Sequence, residues 1–173
     1  MKLYHRETIT GRSIRTKSFY NYIKDNSWLI LGGREPWLEE NNPPVPSDTN
    51  ISIADAFAAI YIDKVMLVKE DVNGSLSYGS HNYEEVSNSY NNPLIIYIES
   101  LIESNKLLDL GEDDYRVCGI YTNVSFLNEP NREQGEVVNA GDITSKEMIW
   151  VSNFSPINIT QNESELFKFV KRF

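Results

Sequence analysis

Cysteine and histidine are scarce: the chain has one Cys and two His among 173 residues. A single cysteine excludes a disulfide framework, and Cys118, set in the run YRVCGIY, reads as a small buried hydrophobe rather than a reactive thiol. A two-histidine metal site, or a Ser–His–Asp or Cys–His nucleophile, would have to rest on His5 and His81. Neither stands in a nucleophile-elbow or cysteine-protease signature. Long apolar runs are missing too. No segment approaches the roughly 20 apolar residues that span a bilayer, and Met1 to Ile14 lacks the unbroken core of a signal peptide. The expectation is a protein that works without Sec-type export and without a membrane.

Phosphate and metal motifs are also absent. Gly32 and Gly33 lack the Lys and Ser/Thr of a phosphate-binding loop and run into Glu35 and Pro36. The acidic pairs Glu39–Glu40 and Glu84–Glu85, and the run Glu112–Asp114, lack the alternating ligands and central Gly of a calcium loop and read as solvated faces. Carboxylate pairs for glycoside cleavage leave no trace in a sequence, because their geometry is set in space. The expectation is a non-enzymatic chain with no metal and no cofactor.

Positive charge is rare outside the first 24 residues. Met1 to Lys24 holds six basic residues against Glu7, a net +5, and the remainder carries ten basic and twenty-four acidic residues, a net −14. An acidic body repels phosphate backbones, so no nucleic-acid partner is expected. The basic start, with Arg6, Arg12, Arg15 and Lys17, suits either solvent or an acidic neighbour, for which a second copy of the chain is one candidate.

What is present is a stiff connection. Gly33 to Ser47, read GREPWLEENNPPVPS, carries Pro43, Pro44 and Pro46, which fix φ and favour extended backbone. Connections of about fifteen residues with no secondary structure are uncommon in compact domains and are usually functional or disordered. Arg34 and Trp37 belong to the residue types that dominate protein interfaces. Trp37 is open to two readings, an anchor for another protein or a lid folded back on its own core.

Periodicity predicts a helix capped by Ser13 over Ile14 to Asp25 and a second from Ser52 to Tyr61, where Ile53, Phe57 and Ile60 share a face. Strands are predicted at Trp28–Leu31, Leu94–Ile98 with a helical turn around Glu99–Asn105, Tyr115–Tyr121, Met148–Val151 and Leu166–Phe173. Asn73–Gly74 predicts a hairpin joining Val65–Val72 to Leu76–Tyr78. Ser80 to Asn92 reads as a loop. The fold expected is α+β, a mainly antiparallel sheet with two short helices and long surface loops, in a single domain over 1–173 whose basic segment 1–13 can extend from it.

The order of these features resembles phage tail baseplate wedge proteins of the kind typified by gene product eight of T4-like phages. The similar positions are Leu31, Gly32, Gly33, Trp37 and Pro43, Pro44, Pro46. A second patch is Tyr115, Arg116, Val117, Cys118 and Gly119, where Val117 stands in place of the family's Gln. A third runs through Gly141, Met148–Val151, Asn153, Pro156, Gln161, Glu163 and Phe173. The resemblance implies a structural component of a contractile-tail baseplate, assembled in the host cytoplasm and held in the virion by other baseplate or tail proteins, with a homodimer also conceivable. It supplies no catalytic residues. The residues expected to bind partners are Arg6, Arg12, Arg15, Arg34, Trp37, Pro43, Pro44 and Pro46. The alternative from the residues alone is a glycan or small-ligand module that stacks its ligand on Trp37, Tyr78, Tyr83 and Tyr90.

Overall fold

The apolar run at Trp28–Leu31 becomes the middle of a five-stranded antiparallel sheet. The computed structural model describes residues 6–33, 35–49 and 52–173; His5 and Arg34 lie outside the described residues. Among the described residues two α-helices and ten strands follow one another, and the strand pairs with a defined register are antiparallel. By its contacts the chain divides into two compact units, one of Met1–Asp25, Lys64–Glu99 and Lys168–Phe173, the other of Asn26–Asp63 and Ser100–Phe167.

In the second of these units β1 (Ser27–Gly32) is buried along its whole length. Such burial on both faces is why it reads as continuous rather than alternating hydrophobicity. It lies between β2 (Ala58–Tyr61) and β7 (Asp114–Phe126), with β8 (Val137–Asn139) and β9 (Ile143–Asn158) at the edges. Trp28 sits opposite Tyr61 and Tyr121. Its indole meets the Phe126 and Tyr61 rings at 4.7 and 5.4 Å, edge to face. Around it pack Ile30, Ile53, Ala59, Val117 and Val124. The short helix α2 (Ser104–Leu108) overlaps only the end of the turn anticipated at Glu99–Asn105, because residues 99–103 continue the strand before it.

The helix predicted over Ser52–Tyr61 does not form. Ala58–Tyr61 pairs with Leu31–Trp28, and the Phe57 N–H donates to the Leu31 carbonyl at 3.0 Å. Asp55, at φ +53°, breaks any helical path. The Ile53 N–H instead donates to the Tyr121 hydroxyl at 2.8 Å. The helical spacing of Ile53, Phe57 and Ile60 is real, but sheet pairing with a fully buried strand satisfies more backbone groups and overrides it.

In the other unit α1 (Ile9–Ile23) starts earlier than predicted, because Thr8 and not Ser13 is its cap: the Thr8 hydroxyl accepts from the Gly11 N–H at 3.1 Å, and Ser13 is buried within the helix. Residues 9–13 of the expected basic segment are thus helical. The second sheet runs β10–β6–β3–β5–β4, with β3 (Lys64–Glu70), β4 (Leu76–Tyr78) and β5 (His81–Glu85) wholly in this unit and β6 (Ile95–Glu103) and β10 (Ser164–Arg172) only in part. Val68, Tyr83, Ile95 and Tyr97 form this unit's core.

The hairpin anticipated at Asn73–Gly74 is displaced. β3 pairs with β5, over Val68–Glu70 and Tyr83–Glu85, and β4 folds onto β5 through Gly79–Ser80. At the earlier turn the Gly74 N–H returns to the Asp71 carbonyl at 2.9 Å and the Asn73 N–H to the Asp71 carboxylate at 2.9 Å, an Asx-type turn. A Cβ on Gly74 would stand 2.2 Å from the Tyr83 carbonyl oxygen, so glycine is required there by close approach. The segment 80–92 read as a loop contains β5, whose pattern exposes every side chain but Tyr83.

One ionic group is enclosed here. The Glu99 carboxylate accepts from Lys64 Nζ and from the Tyr97 hydroxyl, the latter at 2.9 Å. Burial would raise its pKa, but the hydrogen bonds from Lys64 and Tyr97 outweigh that and hold it below the ordinary carboxylate value.

Candidate functional site

The connection from β1 to β2 has neither helix nor strand at its described residues 33 and 35–49, yet it is fastened to the sheet at three points. The chain leaves β1 through Gly33 at φ +86°, a left-handed conformation suited to glycine. Trp37 then packs its ring against the Trp28 core, and its indole N–H donates to the Phe154 carbonyl at 3.0 Å. Further on, the Pro44 carbonyl accepts from the Asn153 side-chain amide at 2.8 Å. Both acceptor and donor sites lie on β9, whose outer edge has no strand beside it in the sheet.

The third fastening is ionic. Arg116 on β7 is 7% exposed; its Nε lies 3.3 and 3.2 Å from the two Glu40 carboxylate oxygens, and its Nη1 donates to Asp114 at 2.8 Å and to the Gly33 carbonyl at 3.3 Å. Burial opposes the guanidinium's charge, while hydrogen bonds and charge from Glu40 and Asp114 raise its pKa further. The arginine therefore ties both ends of the segment 33–40 to the sheet.

Trp37 thus folds back on its own core, with its ring half-buried. Pro43 and Pro46 are half-buried and Pro44 is exposed. A shallow depression of about 440 Å³ opens among Pro36, Trp37, Leu38, Glu39, Asn42 and Pro44. A second, of about 350 Å³, has Trp37, Ile53, Val117 and Val151 among its walls, with Glu35 and Asp55 at its margin.

Of the basic residues singled out from the sequence, Arg6, Arg12, Arg15 and Lys17 belong to the other unit. Arg6 is exposed ahead of α1. Arg12 is half-buried on α1, and Arg15 pairs with Glu7 at 2.8 Å and lies over the Phe173 ring at 5.6 Å. Lys17 donates to the Tyr90 carbonyl at 3.1 Å. The sequence reading missed Glu40, Arg116 and Asn153 as fasteners. Arg116 carried the one available signal, since an arginine inside an apolar strand requires acidic or carbonyl partners on burial.

For chemistry, Cys118 is buried and its thiol pKa is pushed up to about 12 by desolvation. Among the described residues no group of three or more His, Cys, Asp or Glu could hold a metal ion, and no helix is long and apolar enough to cross a membrane. His81 stands 3.2 Å from Glu70, and both side chains are exposed. Tyr83, one of the proposed stacking residues, is 1% exposed and offers no face to a ligand, whereas Tyr78 and Tyr90 are open.

Compared with known proteins, residues 7–173 match the model of a family described as baseplate wedge 3 tail fiber network component. No curated protein matches the chain.

Proposed function

The chain belongs to the baseplate wedge 3 tail fiber network component family, and from that premise we propose that it works as a connector within a contractile phage tail, joining neighbouring baseplate subunits through the β1–β2 connection and its terminal segments without catalysing a reaction. Family membership makes it a structural component of the phage baseplate, associated with other baseplate components in the virion tail. The observation that supports the connection as the contact element is its threefold fastening by Trp37, Glu40 and Pro44. An irregular segment fixed in advance loses little entropy when a partner closes over it.

The basic start supplies the second contact. Arg6 and Arg12 carry positive charge in a chain whose remainder is strongly acidic, and an acidic surface on a neighbouring subunit complements them.

The experiment is co-expression of the chain with each of the other baseplate proteins of the same virus, followed by sedimentation of the purified mixtures. A stable complex burying at least about 1,000 Å² is expected with one or more of them. A chain that stays monomeric beside every one of these proteins, and is missing from purified tails by mass spectrometry, contradicts the proposal.

A further inference from the structure

Leu38 and Val45 are 107% and 92% exposed, the highest values among the large hydrophobic residues of the described chain. They sit on an irregular segment that is fastened to the sheet through the Trp37 and Glu40 side chains and the Pro44 carbonyl. Trp37, next to Leu38, is held by Phe154, and Pro44, next to Val45, is held by Asn153. The backbone therefore has little freedom to turn either side chain back to the sheet. Leu38 lines the depression together with Pro36, Trp37 and Pro44, and Val45 follows Pro44 in the chain. Scattered exposed apolar residues are ordinary, but two fully exposed ones on a fastened backbone, one of them in the wall of a hollow, make an interaction surface.

The segment's own charge from Glu35 to Ser47 has one sign. Glu35 and Glu39 are exposed beside Trp37 and Leu38, and Glu40 is paired with Arg116. No Lys or Arg occurs between Glu35 and Ser47. We infer that the 35–46 segment docks into an apolar pocket with a rim of Lys and Arg on another baseplate protein, Leu38 and Val45 entering the pocket while Glu35 and Glu39 meet the rim. This rests on the connector reading above and specifies the chemistry of its partner. Apolar burial then sets how long the complex lasts, and the glutamates set how fast it forms and how it responds to salt.

The test uses the full-length chain against each of the other baseplate proteins of the same virus, purified singly, with dissociation constants measured for the parent and for Leu38→Asp, Val45→Asp and the pair Glu35→Lys with Glu39→Lys. Leu38, Val45 and Glu35 are exposed, and Glu39 makes only an exposed 3.3 Å bond from the Asn42 amide, so melting temperatures should stay close to the parent and make the binding data readable. Each apolar-to-Asp change is expected to weaken the complex at least about tenfold, and the charge reversal to slow association at low salt more than at high salt. A photo-reactive residue at position 38 should cross-link to a peptide of the partner that bears Lys or Arg. If a complex forms and the Asp variants bind as tightly as the parent, or the cross-linked peptide is acidic, this inference falls and the connector reading stands. If the parent chain binds none of these proteins, both fall.

Discussion

Arg116 is the residue on which the connection depends most. It sits in a strand of buried side chains and is the single cation shared by Glu40, Asp114 and the Gly33 carbonyl. Truncation would leave two carboxylates facing an emptied site, both partly solvated. Arg116→Ala should therefore cost about 1.5–3 kcal/mol, the range for hydrogen bonds to charged groups, read as a lower urea midpoint at unchanged slope. Glu40→Gln keeps Asp114 as counter-charge and should cost about 1 kcal/mol. A second residue-scale expectation concerns acid. Because the folded-state pKa of Glu99 is depressed, its contribution to stability is fully present above the ordinary carboxylate value and is lost as pH falls through the folded value. Glu99→Gln should be less stable than the parent at neutral pH, and the gap between their urea midpoints should narrow steadily below about pH 4. A constant gap down to pH 2 would show that Lys64 and Tyr97 do not hold the charged form.

Elements were legible in the sequence where one local signal met no competitor. Trp28–Leu31 could be read as a buried strand because four apolar residues end in two glycines, and the structure places them at the centre of a sheet. The polyproline signal likewise marked a connection without secondary structure. Failures came where two local patterns competed and tertiary pairing decided between them. Ile53, Phe57 and Ile60 have helical spacing, yet β1 needed a second strand beside it and took Ala58–Tyr61. Asn73–Gly74 has hairpin chemistry, but Gly79 at φ +58° closes the β4–β5 hairpin instead, and the Asp71–Gly74 turn links β3 to β4 without pairing them. Strand β5 was hidden because four of its five side chains point to solvent, leaving Tyr83 as its only apolar signal. The two glycines should respond differently to alanine. Gly74→Ala drives a Cβ against the Tyr83 backbone and should cost about 1–3 kcal/mol, lowering the melting temperature by roughly 2–4 °C for each kcal/mol. Gly79 faces open space, so Gly79→Ala should lose only about 1–2 kcal/mol from its left-handed backbone, and Gly79→Asn less.

At the scale of the whole molecule, the chain passes between its two compact units at four places, two of them inside strands β6 and β10. Calorimetry should therefore give one transition whose calorimetric and van't Hoff enthalpies agree, as a single domain over 1–173 would. Two separated transitions would mean that the units fold independently. The family was legible from the order of features along the chain, which resembled baseplate wedge proteins, and residues 7–173 match a family of that kind. The fasteners were not legible, because Arg116 and Glu40, or Trp37 and Phe154, are brought together only by the fold. The most direct measurement is an electron-microscopy reconstruction of the intact tail baseplate at side-chain resolution. It should show residues 36–46 buried against a neighbouring subunit, with Trp37 still bonded to Phe154. Density in which that segment faces solvent on every copy would contradict the account.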